Sequence, residues 1–143
     1  MKQFTIPLEP KPQSRPRFNG ITKRAYEVPA MTAYKQQVGY FAKAHFKREQ
    51  LENIIGIEMV FYRSAPKALL NVKKMRLQAE EEVLRVNTKP DLDNYAKAIL
   101  DALNGIVFKD DNQVAYLKLE KRYSLNPRIE LKILSEHELG GAI

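Results

Sequence analysis

The sequence has no cysteine and no tryptophan, and only two histidines and six glycines among its 143 residues. Without cysteine there is no thiolate zinc site, no disulfide framework and no sulfur nucleophile. His45 and His137 form no ligand cluster, and His45 falls on an apolar helical stripe where a packed or surface imidazole is expected. The glycines are scattered, so no glycine-rich loop cradles a nucleotide phosphate, which disfavours a nucleotide-binding or phosphotransfer domain. No apolar run is long enough to cross a bilayer, and the opening MKQFTIPLEP lacks the apolar stretch of a signal peptide. A protein without membrane segments, with the cytoplasm as default compartment, is therefore expected. Aspartate is missing too, from the whole of residues 1–88.

What is present is unevenly placed. Hydrophobic residues make up 44% of the chain and charged residues 29%, enough for one modest core and too apolar for disorder. The length predicts a single domain over residues 1–143. Of the net charge of +7, all sits in the first third: residues 1–50 carry ten basic and three acidic side chains, and the remainder is neutral in sum. Such an excess either meets a polyanion or serves solubility. All five aspartates (Asp91, Asp93, Asp101, Asp110 and Asp111) lie between residues 91 and 111. Short, stiff carboxylates gathered in one stretch are what a hard cation needs, because Mg²⁺ takes oxygen ligands in tight octahedral geometry.

Along the chain, KQFTIPL (2–8) reads as a strand, and EPKPQSRPRFNG as a proline-rich basic segment that is neither helix nor central strand. A short extended piece at 24–28 leads to Pro29 and a helix over TAYKQQVGYFAKAHFKREQ, with Tyr34, Val38, Phe41, Ala42 and His45 at helical spacing. IIGIEMVFY (54–62) reads as a strand ended by 63–66. Residues 67–88 fit a helix followed by a mobile loop, whose Lys73, Lys74 and Arg76 either stay solvated or touch phosphate. DLDNYAKAILDALNG is a helix closed by Gly105, and strands follow at 114–124 and 128–134 around a Leu-Asn-Pro turn. The order β, α, β, α, β, β predicts a two-layer α+β fold with helices on a mixed or mostly antiparallel sheet.

Asp91 and Asp93, two residues apart, fall on one side of an extended segment, and Pro90 favours such a segment. With Asp91 on the lead-in and Asp93 capping or opening the helix, both converge near its N-terminus. Lys97 lies one turn on, placed to hold a phosphate oxygen or to neutralise Asp93 as an ordinary pair. Asp101, a further turn along, is expected to pair with Lys97 or to stand as an outer carboxylate. The loop Lys109-Asp110-Asp111-Asn112 returns a second acidic pair, giving three or four carboxylates around one or two metals, as metal-assisted phosphodiester hydrolysis requires. Each element alone also fits a helix cap or a plain turn.

The stretch KPDLDNYAKAILDALNGIVFKDDNQV, residues 89–114, resembles the signature of RusA-type Holliday junction resolvases: a D-x-D-N start, a lysine four residues after the second Asp, an Asp-Ala-Leu and a paired Asp-Asp before a strand. IPLEPKPQSRPR (6–17) resembles that family's first strand and basic segment. The resemblance implies a RusA-like fold and a homodimer, often of phage or prophage origin. It further implies a Mg²⁺-dependent endodeoxyribonuclease, with Mn²⁺ as substitute, that resolves four-way junctions in branched DNA by paired cuts. By the same resemblance Asp91, Asp93 and Asp111 are metal ligands and catalytic, Lys97 is the essential lysine and Asp110 an auxiliary acid. Lys11, Arg15, Arg17, Lys89 and Asn94 are then DNA contacts. The alternative is a branched-DNA-binding protein whose site is degenerate and inactive.

Overall fold

Strand formation here follows burial on one face. In Lys2–Ile6 (β1) the buried residues alternate, Phe4 and Ile6 facing inward, and in Arg128–Ser135 (β6) Ile129, Leu131 and Ile133 do the same. Ile55–Ser64 (β4) is exposed only at Ser64, as suits a strand in the middle of a sheet. The computed structural model describes residues 1–46 and 50–140. Within them four strands form one sheet in the order β1-β6-β4-β5, where β5 is Val114–Ser124. The β4–β5 pair is parallel, while β6 pairs antiparallel with both β1 and β4. The sheet is thus mixed, in an α+β fold. The strands that flank the Leu-Asn-Pro turn do not pair with each other, because β4 lies between them.

Two helices cover one face. Pro29–Phe46 (α1) buries Met31, Tyr34, Val38, Gly39, Ala42 and Phe46. The expected continuation of this helix through residues 47–49 lies outside the described residues. Leu92–Leu103 (α4) buries Tyr95, Ala96, Ala98, Ile99, Ala102 and Leu103, and Gly105 follows its end at φ 81°, a conformation only glycine adopts freely. Tyr95 stacks on Phe61 of β4 with ring centroids 5.2 Å apart, which fixes the helix against the sheet. His45 packs on Phe4 at 4.9 Å. The opposite face of the sheet is polar, with Glu58 of β4 paired to Lys132 of β6 at 3.8 Å.

Residues 67–88 form two short helices, Lys67–Leu70 (α2) and Lys73–Glu80 (α3), rather than one helix and a loop. The break falls at Asn71-Val72, and an extended stretch then joins β5 through an Arg85–Arg122 bridge. Ala79, Val86 and Tyr123 make a small separate core there, and Arg128 locks it by pairing with Glu82 and lying 4.0 Å over the Tyr62 ring. Finally, Arg17–Asn19 (β2) and Arg24–Tyr26 (β3) pair as a two-stranded ribbon with every residue exposed.

Candidate active site

The proline-rich segment does not float. The Gln13 N–H donates to the Asn94 carbonyl at 2.9 Å, the Lys11 N–H to the Tyr34 hydroxyl at 3.3 Å, and both carboxylate oxygens of Glu9 accept from Ser64. These bonds tie the segment to β4 at Glu9, to α1 at Lys11 and to the first turn of α4 at Gln13. Between that segment, α4 and β5 lies a cleft of about 730 Å³. Arg15, Asp93, Asn94, Lys97 and Asp111 all line it, with Leu117 and Leu119 of β5 as its apolar floor. The helical spacing places Asp93, Lys97 and Asp101 on one face of α4, and all three border the cleft.

The remaining expected site residues lie outside the cleft lining. Asp91 occupies the N-cap position with extended backbone (φ −70°, ψ 152°), yet its side chain makes no cap hydrogen bond. Asp93 therefore stands inside the first turn rather than at the cap. Lys11 lies 5.9 Å over the Tyr34 ring, Arg17 opens the ribbon, and Lys89 is exposed on the lead-in to α4. Among the described residues Asp91, Asp93 and Lys97 have side chains free of hydrogen bonds and ion pairs.

Two cations that sequence reasoning missed hold the lead-in. Lys121 of β5 donates to the carbonyls of Thr88 and Pro90, each at 2.8 Å, and Arg63 of β4 to the carbonyl of Lys89 at 2.8 Å. Charged donors on main-chain oxygens anchor the three residues before Asp91. Their signal was faint, since a basic residue on a strand reads first as solvated surface.

The second acidic pair is set by a capped turn. Asp111–Gln113 forms one 3-10 turn, and Asp110 at its N-cap accepts the Asn112 N–H at 3.0 Å. The Gln113 carbonyl oxygen accepts from Lys109 and Asp110 N–H, while its amide donates to the carbonyls of Leu51 and Asn53. One side chain thereby ties the acidic turn to the segment before β4. The Asn112 N–H and its neighbour Asp111 hold the Asp110 carboxyl below the ordinary range, and Asp110 in turn pushes that of Asp111 up. Two carboxylates side by side compete for one proton, a repulsion that a nearby cation relieves.

Asp101 pairs with Lys35 of α1 at 2.5 Å rather than with Lys97. Lys35 also pairs with Glu27, which accepts the Thr32 hydroxyl at 2.8 Å. Lys97 is left unpaired among the described residues, because the Lys35 ammonium reaches Asp101 from the neighbouring helix.

The donors present suit a hard cation: oxygen only, with one carboxylate free of its cap and two more across one cleft. Among the described residues no three acidic or histidine side chains stand close enough to hold an ion by themselves. The expected convergence of three or four carboxylates is thus reduced to Asp93 and Asp111, which both line the cleft. That is still enough for Mg²⁺, which commonly takes one or two carboxylates and completes its shell with water and substrate phosphate.

A mixed sheet carrying a carboxylate-bearing cleft, roofed by a basic segment, defines an α+β protein equipped to meet a polyanion. Residues 7–134 match the family described as Endodeoxyribonuclease RusA. The chain belongs to that family. It is also 40% identical over 133 residues, 92% of this chain and 94% of the relative, to a Bacillus subtilis (strain 168) protein named as the uncharacterized protein YqaN. No helix in the described residues is long and apolar enough to cross a membrane.

Proposed function

We propose that this chain is a divalent-metal-dependent, structure-selective endodeoxyribonuclease that resolves four-way DNA junctions by paired phosphodiester cuts, acting as a homodimer. The observation that carries the reading is the meeting of Arg15, Asp93, Asn94, Lys97 and Asp111 in one cleft of a RusA-family chain. Asp93 and Asp111, which line the cleft, would hold Mg²⁺ or Mn²⁺, and Asp91, outside that lining, joins them by the family resemblance alone. The ion when bound supplies positive charge to the scissile phosphate and acidifies water for attack.

The protein's own groups do the rest. Lys97, unpaired and one turn after Asp93, offers its ammonium to a phosphate oxygen on which negative charge grows. Arg15 and the Asn94 amide orient the backbone of the substrate, and Lys11, Arg17 and Lys89 extend the positive track. Leu117 and Leu119 give the cleft an apolar floor beneath these charged groups. Ser14 lines the cleft, but its hydroxyl has no hydrogen-bond partner to take its proton, and among the described residues no histidine lines it, so this reading has water as the nucleophile.

Incubation with end-labelled four-way junction, with and without Mg²⁺, tests this directly. Symmetric nicks that appear only with the ion are expected. Junction binding without cleavage under Mg²⁺ or Mn²⁺ would leave the chain a branched-DNA-binding protein with an inactive site.

A further inference from the structure

The β2–β3 ribbon has no part in the cleft chemistry. Its base is nonetheless built into the cleft wall: Arg15 and Pro16 precede it, Glu27 follows it, and all three line the cleft. The Gln13 amide donates to Glu27 at 3.3 Å, closing the two ends together. Between Glu9 and Glu27 there are five basic residues, Lys11, Arg15, Arg17, Lys23 and Arg24, and no acid.

The ribbon's tip is pinned by hydrogen bonds and presents one large apolar side chain, Ile21. The Asn19 side-chain oxygen accepts the N–H of Ile21 at 2.9 Å and of Thr22 at 3.1 Å, and the Lys23 N–H returns to the Asn19 carbonyl at 2.8 Å. Lys23 takes the left-handed conformation, φ 55°, that closes this turn. Ile21, at the tip so fixed, is 94% exposed, and Phe18 is 68% exposed. Phe18 stands opposite Ala25 on one face, while Arg17 and Asn19 stand opposite Tyr26 and Arg24 on the other. One face is therefore apolar and the other basic. Three-residue strands at about 3.3 Å per residue carry the tip roughly 10 Å beyond the base.

We propose that this ribbon is a wedge for the unstacked bases at a DNA branch point, Ile21 and Phe18 lying against base faces while Arg17, Lys23 and Arg24 hold the flanking phosphates. The inference rests on the branched-DNA reading of the cleft and adds how the branch itself is recognised. Base edges in a duplex groove are read chiefly by hydrogen-bonding side chains, with apolar contact confined to the thymine methyl, and Ile21 and Phe18 have no hydrogen bond to offer. Base faces are apolar and accept aromatic and aliphatic wedges. At a branch point those faces are already open, so insertion costs little of the unstacking energy a continuous duplex would demand. The ribbon's anchorage in the cleft wall then sets the cut beside the branch.

The test uses the full chain in EDTA, so that nothing is cut, with a four-way junction carrying 2-aminopurine at the branch and a linear duplex of the same sequence. Wild-type protein should prefer the junction and raise 2-aminopurine fluorescence on binding. The Phe18→Ala/Ile21→Ser double variant touches no core residue, so its melting temperature should stay at the wild-type value. Its junction-over-duplex preference should fall about tenfold and the fluorescence rise should vanish. An unchanged preference ratio and an intact fluorescence rise in the variant would overturn the wedge while leaving the junction reading standing. A wild-type protein with no junction preference would overturn both.

Discussion

Replacing Lys35 by methionine isolates the charge that joins the cleft wall to the ribbon. The Lys35 side chain is 12% exposed and bridges Glu27, 31% exposed, and Asp101, 59% exposed. A fully buried pair that loses one partner costs about 3–5 kcal/mol, and a surface pair about 0–1 kcal/mol. With Asp101 largely in water and Glu27 half-buried, the loss should lie near 1–2 kcal/mol, methionine keeping the packing of the stem. An unfolding entropy of about 2.1 cal/mol/K per residue converts that loss to a fall in Tm of roughly 3–7 °C at pH 7. The pH dependence is fixed by the same three groups. Hydrogen bonding from Lys35 lowers the Glu27 pKa below its ordinary 4.5. Burial disfavours the charge on Lys35, but the carboxylates of Asp101 and Glu27 outweigh it and raise its pKa above 10.5. The contribution is therefore fully present between these ordinary values and is lost as pH falls through the depressed Glu27 value. Scanning calorimetry of wild type and Lys35→Met at pH 7 and pH 3 should show the Tm gap narrowing in acid. A gap below about 1 °C at neutral pH, or one of equal size at both, would refute the assignment of Lys35 as an energetic tie.

Asp91→Asn, Asp93→Asn and Asp111→Asn should each cut junction cleavage by at least about 100-fold while leaving binding intact or tighter, with Asp101→Asn costing far less; Mg²⁺-dependent nicking at wild-type rates in any of the three removes that residue from the site. Lys97→Ala should lose about 100-fold in single-turnover rate with little change in affinity, and equal losses in both would make it a docking residue. Arg15→Ala/Arg17→Ala should flatten the slope of log affinity against log salt by about two, measured by fluorescence anisotropy, and an unchanged slope returns this charge to solubility. A dimer is expected by light scattering, and mixing wild type with excess Asp91→Asn on a supercoiled cruciform plasmid should give nicked circles in place of linear product. A strict monomer that still linearises the plasmid by coordinated cuts would sink the paired-site reading.

The helix carrying Asp93 and Lys97 was readable because its buried stripe and its terminal Gly105 are local signals, as were the alternating faces of β1 and β6. The order of the sheet was not, since insertion of β4 between β5 and β6 depends on pairings far apart in sequence. The ribbon escaped for a different reason. Its strands are three residues long and wholly exposed, so no burial alternation marks them, and only the extended character of 24–28 was seen. For Asp101 the helical spacing offers Lys97 as a partner or the role of an outer carboxylate, a rule that knows nothing of Lys35 arriving from α1. Likewise Gln113 gave no sign of the four main-chain groups it would tie, because an amide near a turn has many local partners.

The pairing of β6 with both β1 and β4 has a temporal meaning. β1 finds its place in this sheet only through β6, so a chain on the ribosome can have made α4 and the acidic turn while β1 still has no neighbour and β4 pairs with β5 alone. Residues 128–135 close it, as the final stone closes an arch. Losing β6 therefore breaks two of the three pairings in this sheet at once, leaving β4 paired with β5 alone and β1 without a neighbour there.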